Sequence, residues 1–270
     1  AAFSAASVNQ STSGTGTTQI GGLLTATGAV KLDAATVDLN DSIVSNGGLV
    51  TLNATTLVDL ATGKTITTTA AADSGTISGA IDINVSGTGT VNLVGDLVTT
   101  GATHATLTGS AGGAVTIDAN NGTIAVANIT TSGGAAAGGG QTGGAAGTIG
   151  INTGTNNVIT LNASTLTAAG GAGATQGAGA TISFGDPVSL ATGGVTIDTG
   201  ATAGNISFAQ TVNGGQTLAL TSGTGDITFT GVVGGATPLG AVTINAANNV
   251  TTSAAFSAAS VNQSTSGTGT

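Results

Sequence analysis

Apolar and polar residues alternate along this chain in short bursts. In GAVTIDA (113–119), Val115 and Ile117 fall on one side of an extended segment, and Thr116 and Asp118 fall on the other. A period of two marks a strand buried on one face only. The same word returns as GAVKLDA (29–35), GLVTLNA (48–54), GAIDINV (79–85), GTIGINT (147–153), GGVTIDT (193–199) and GAVTINA (240–246). It predicts inward pairs at Val50 and Leu52, at Val115 and Ile117, and at Val242 and Ile244.

A second word alternates with the first: an apolar pair, then another apolar residue about four positions on. It reads TVDLNDSIVSNGG (36–48), with Val37 and Leu39 as the pair, then TVNLVGDLVTTG (90–101) and GTIAVANITTSGG (122–134). Its last copies keep one spacing while the residues between them change: Ile182/Phe184/Val188, Ile206/Phe208/Val212 and Ile227/Phe229/Val233. A fixed internal geometry of this kind predicts a core.

The second word begins at Val37, Val58, Val91, Ile124, Ile159, Ile182, Ile206, Ile227 and Val250, with gaps of 21, 33, 33, 35, 23, 24, 21 and 23. Repeats of this size, each with two or more short strands, indicate stacked coils. One coil of a three-sided solenoid takes roughly 20 to 25 residues, so the longer gaps call for inserted loops. Two Gly/Ala-rich stretches supply them, SGGAAAGGGQTGGAAG (132–147) and AAGGAGATQGAGA (168–180). Gly-rich stretches also serve as flexible linkers. Their equivalent positions in consecutive coils favour paired loops along one edge. The shortage of Glu, Arg and Lys and the wealth of Thr, Val, Ile and Gly weigh against helices. The reading is an all-β parallel β-solenoid of roughly 9–12 coils per period, continuous over residues 1–270.

The period itself is visible at the ends. AAFSAASVNQSTSGTGT at 1–17 returns letter for letter at 254–270, an offset of 253 residues. The two copies read as the same coil met twice, so the chain is one period plus an overlap.

Composition narrows the chemistry. Eleven acidic residues, two lysines (Lys31 and Lys64) and one histidine give a net charge of −9. Nucleic acid needs a basic surface, and this chain has none to offer. No apolar run reaches the length of a membrane-spanning helix, so no membrane insertion is expected. With no Cys there is neither a disulfide framework nor a thiolate metal site. The Gly content of 48 residues is typical of disorder, but 39% of the chain is apolar, which is typical of folding.

Strings such as GAVTIDANNGTIAVANITTSGG and GGVTIDTGATAGNISF resemble the passenger repeats of filamentous-haemagglutinin-like and autotransporter-type bacterial surface proteins. The resemblance spans almost the whole chain and rests on pattern and composition. It implies a right-handed parallel β-helix, export to the cell exterior, and a role in adhesion or matrix building. The Gly-rich inserts depart from the compact coils of that family.

Candidate catalytic groups are sparse. Polysaccharide hydrolysis needs carboxylates paired on one surface. Asp118 and Asp198 close equivalent copies of the first word, with Asn53, Asn84, Asn162 and Asn245 at the matching places, and an outward amide ladder accounts for them. Trp and Tyr, which form sugar-stacking platforms, are absent. His104 reads as a solvent-facing or loop histidine. Asp33, Asp38 and Asp41 read as a solvated face; calcium bridging between neighbouring rods is the one metal reading left open. The Thr-rich run TGKTITTT (62–69) is not periodic, as an ice-binding array would be. No enzyme activity and no cofactor are therefore expected. The expected function is a structural repeat of a long extracellular bacterial fibre whose partner is itself, repeat stacked on repeat. The alternative is the stalk of a giant adhesin with its binding tip elsewhere.

Overall fold

Each copy of the first word forms a strand, and every strand pairs in parallel with its counterpart one coil away. The computed structural model describes residues 2–11, 14–154 and 156–264. Among these there is no helix; two parallel sheets of 11 and 16 strands run side by side. The 16-stranded sheet folds along its length into two faces. Strands Val30–Leu39 and Val50–Leu60 pass through that corner unbroken, with a register shift between Ala34 and Thr36. The cross-section is therefore three-sided, and the chain visits face 1, face 2 and face 3 in turn.

Register defines three inward columns. Face 1, the 11-stranded sheet, stacks Leu24, Ile43, Ile66, Leu97, Ile129, Leu166, Ile197, Leu220 and Ile244. Face 2 stacks Val8, Val30, Val50, Ile81, Val115, Ile149, Ile182, Ile206, Ile227 and Val250. Face 3 runs from Thr18 and Val37 through Val58, Val91, Ile124, Ile159, Val188 and Val212 to Val233 and Phe256. The inward pairs and the Ile/Phe/Val triplets named above are buried, Ile244 being the most exposed at 4%, whereas Val250 at the last copy is half-buried. Burying each such side chain contributes about 1.5–3 kcal/mol. Phe184, Phe208 and Phe229 lie in one file on face 2, with ring centroids 4.9 Å apart and planes nearly parallel.

The columns correct the phase of the sequence words. Val37, Val58, Val91, Ile124 and Ile159 are on face 3, whereas Ile182, Ile206, Ile227 and Val250 are on face 2. The first word moves likewise: it occupies face 2 up to Ile149–Asn152 but face 1 at Val195–Asp198 and Leu239–Ala246. All three faces demand the same inward–outward alternation, so the pattern predicts strands without saying which side of the coil they take.

Four coils carry inserts, not two, each leaving face 1 and returning at face 2. They lie between residues 67 and 81, 98 and 115, 130 and 149, and 167 and 182. The last three are tied into one hydrogen-bonded file. Backbone N–H groups of Ser110, Gly134, Gly144, Gly171 and Gly177 donate to the carbonyls of Ala102, Ser110, Gly134, Gly144 and Gly171 at 2.8–3.0 Å. Outgoing and returning limbs alternate along this file, making a fin of backbone rather than of side chains. Glycine is what permits the approach: a Cβ on Gly144 would lie 1.9 Å from the Ser110 carbonyl oxygen.

Six of the necks between face 1 and face 2 are closed from inside by a buried hydroxyl, while Ala26 and Ala168 take that place in two other coils. Ser45, Thr68, Thr99, Thr131, Thr199 and Ser222 are wholly buried and follow the face 1 strand at the same place in their coils. Their hydroxyls donate to the carbonyls of Gly48, Gly79, Gly113, Gly147, Gly204 and Gly225. A hydroxyl inside a hydrocarbon core is costly unless paired, and here each one holds a loop shut.

Candidate functional site: the end faces of the coil stack

The described chain leaves the solenoid open at both ends. At the first, strand Phe3–Ala5 pairs only with Leu24–Ala26, and Val8–Gln10 and Thr17–Ile20 pair only with Val30–Leu39. A cavity of about 370 Å³ opens there between Phe3, Val8, Gln10, Thr18, Ile20, Leu24 and Leu32. Phe3 is 56% exposed. At the second end, Ala258–Gln263 pairs only with Leu239–Ala246, and Val250–Thr252 only with Ile227–Phe229. Val261 is 58% exposed there, and Phe256 meets Phe229 edge-on at 5.4 Å. Both ends thus present apolar side chains and a one-sided strand edge, the combination that templates further strand pairing.

The flanks carry polar ladders. Asp33, Asn53, Asn84, Asp118 and Asn152 share one outward column of face 2. Within it the Asn53 amide donates to Asp33 at 2.6 Å, and the Asn84 amide donates to Asn53 at 3.1 Å. Asp198 and Asn245 are on face 1 and Asn162 is on face 3, so these three do not join Asp118. For Asp198 and Asn245 the reason is the shift of the first word from face 2 to face 1; Asn162 instead ends the face 3 strand Ile159–Asn162.

Asp33, Asp38 and Asp41 do not form one acidic group, because the strand turns its corner between them. Asp33 is buried on face 2 and bonded to Lys31 at 2.9 Å. Asp38 faces outward on face 3, where it accepts from Gln19 and Asn40. Asp41 takes Lys64 at 3.1 Å and the Ser42 N–H at 2.8 Å. Both lysines of the chain are thereby paired. Burial pushes the Asp33 carboxyl up, but hydrogen bonds from Lys31 and Asn53 and the Lys31 charge outweigh it and hold it below the usual carboxylate range. The Ser42 N–H and Lys64 hold Asp41 down, as the amides of Asn248 and Asn249 do for Asp226. Among the described residues no three or more His, Cys, Asp or Glu side chains gather as metal ligands would.

His104 is not at the surface. It is 1% exposed near the outer turn of the insert between residues 98 and 115, where Nε2 and the Ser110 Oγ are 2.8 Å apart. Its Nδ1 has no hydrogen-bond partner and is 3.6 Å from the exposed Asp73 carboxylate, which itself accepts from the Ala105 N–H at 2.7 Å. The order hydroxyl, imidazole, carboxylate is that of a nucleophilic triad. Here the hydroxyl is itself buried, and the contact ties the outgoing limb of one insert to its returning limb. Asp186, also overlooked in the sequence, is buried. It accepts from the backbone N–H groups of Thr153, Gly154 and Asn156 in the preceding coil at 2.6–3.2 Å. The only sequence signal for it is its place one coil after a Gly/Asn turn. Compared with protein families, curated proteins and solved structures, the chain matches none.

Proposed function

We propose that this chain is a structural repeat of a long fibre on the bacterial cell surface, in which coils continue from one period to the next. One observation carries the reading: the segment that opens the solenoid is the segment that closes it, 253 residues on. Two features of the fold support it. All strand pairings are parallel, so the end face of one period has the polarity needed to receive the opening face of the next. The core is also a single uninterrupted column, in which each coil needs only its neighbours. The extracellular placement rests on the resemblance of the repeats to passenger repeats of secreted bacterial surface proteins. A role in scaffolding rather than catalysis fits a surface on which Asp33, Asp41, Asp59, Asp96 and Asp226 are each held by a lysine or amide donor. The gene sequence on either side of this window tests the proposal. Further in-frame copies of the 253-residue period are expected, and a single copy overturns it.

A further inference from the structure

The repeated segment sits differently at its two occurrences. The copies can be compared over 2–11 and 255–264; Ala1, Thr12, Ser13 and positions 265–270 lie outside the described residues. In the first copy Phe3 is on face 1 beside Leu24, and Val8 is on face 2 beside Val30. In the second, Phe256 is on face 3 beside Val233, and Val261 is on face 1 beside Val242. The face 1 place that Phe3 takes in one copy, in the column of Leu24 and Ile244, is taken in the other by Gln263, the counterpart of Gln10. One sequence therefore has two seats.

The physical cause is a shortage of anchors. A coil has three sides, and elsewhere the two words together supply an apolar anchor for each. Here Phe and Val are the only large apolar side chains, and the Ser-Thr-Ser-Gly-Thr-Gly that follows (11–16) has none. Two anchors cannot settle three sides. The preceding coils dictate the second seat: Val212 follows Phe208 and Val233 follows Phe229 by four residues onto face 3, and Phe256 follows Thr252 in the same way. The following coils dictate the first seat, through Leu24–Ala26 and Val30–Leu32.

We propose that, in a chain of joined periods, this coil is a two-state joint, pulled to one seat by the coil before it and to the other by the coil after it. The inference rests on the array reading above. In the first seat only Ser253–Ala255 remain to cross face 3, so that face lacks an anchor; in the second seat the anchorless side is face 2. The soft side of the rod therefore changes with the seat. Each junction yields in one of two directions, while the coils between junctions stay stiff. A ligand or load favouring one seat shifts the population by its difference in affinity for the two.

Asn262 reports the seat directly. Its register partner is Thr243 in the second seat, and its counterpart Asn9 pairs with Lys31 in the first. Adjacent strands are close enough for a disulfide, and the chain has no cysteine of its own. A two-period chain is made with Asn262→Cys and either Thr243→Cys or Lys31→Cys of the following period, and is oxidised to equilibrium in a glutathione buffer. A Lys31→Cys/Thr51→Cys pair, neighbours in register on face 2, sets the yield of a permanently seated contact. Both junction disulfides are expected, with equilibrium constants within about tenfold of each other, or ~1.4 kcal/mol. If one pair matches the control and the other is at least about a hundredfold weaker, the coil has one seat and the proposal fails. It fails equally if neither forms. A gene with a single period would overturn the array while leaving this measurement on the joined chain intact.

Discussion

At the scale of single residues, buried hydroxyls close six of the necks. Thr131 donates to the Gly147 carbonyl at 2.6 Å from within the core, closing an insert that would otherwise open from its root. Thr131→Val keeps the volume and removes the donor, and should lower stability by about 1–3 kcal/mol, read as a drop in the urea midpoint. The paired carboxylates add a pH dependence. Asp33, Asp41 and Asp226 all have folded-state values below the ordinary carboxylate range. Their contribution is therefore complete above that range and is lost as pH falls through the folded values. The urea midpoint should hold from pH 7 to about 5 and fall toward pH 2, and Asp226→Asn should flatten part of that fall. The strand residues were legible in the sequence because inward and outward positions differ in polarity. Thr131 was not, because a buried threonine has the same letter as an exposed one. His104 does lie in a loop, but its burial was missed for a related reason: it depends on the packing of two inserts, which no local pattern records.

At the scale of elements, the words of the sequence predicted strands but not their faces. The shift between Ile159 on face 3 and Ile182 on face 2 left the alternation undisturbed, so nothing in the spacing betrayed it. The same blindness placed Asp198 beside Asp118. The inserts show the opposite case, since their Gly/Ala composition was plain while its use was hidden. Glycine there is a packing residue, and the fin should respond to substitution position by position. Gly144→Ala forces a methyl group against the Ser110 carbonyl, whereas a Cβ on Gly139 meets nothing within 4 Å. Hydrogen exchange should show the fin amides of Gly134, Gly144 and Gly171 losing protection at least about tenfold in Gly144→Ala, with the sheets still protected. Gly139→Ala should leave both unchanged. Equal effects of the two substitutions would mean that the limbs are not packed through their backbones.

At the scale of the whole molecule, stability should accumulate by neighbouring coils. Two covalently joined periods replace two one-sided end faces by one interior junction. They should therefore melt above a single period in calorimetry. An unchanged melting temperature would mean that the junction transmits no cooperativity. The repetition itself was legible from the identity of 1–17 with 254–270. That one coil in the period has fewer anchors than sides became visible only when its two copies were seen against different neighbours.

The parallel stacking has a kinetic corollary. Paired residues lie from 19 positions apart, as Leu24 and Ile43 do, to 37 apart, as Ile129 and Leu166 do. Closing a loop costs entropy that grows with the length closed. In this architecture that length is fixed by the circumference of one coil and not by the size of the polypeptide. Adding periods lengthens the rod without lengthening any search the chain must make, and topology of this kind governs folding speed. A chain of many periods folds by the same short steps as a chain of one.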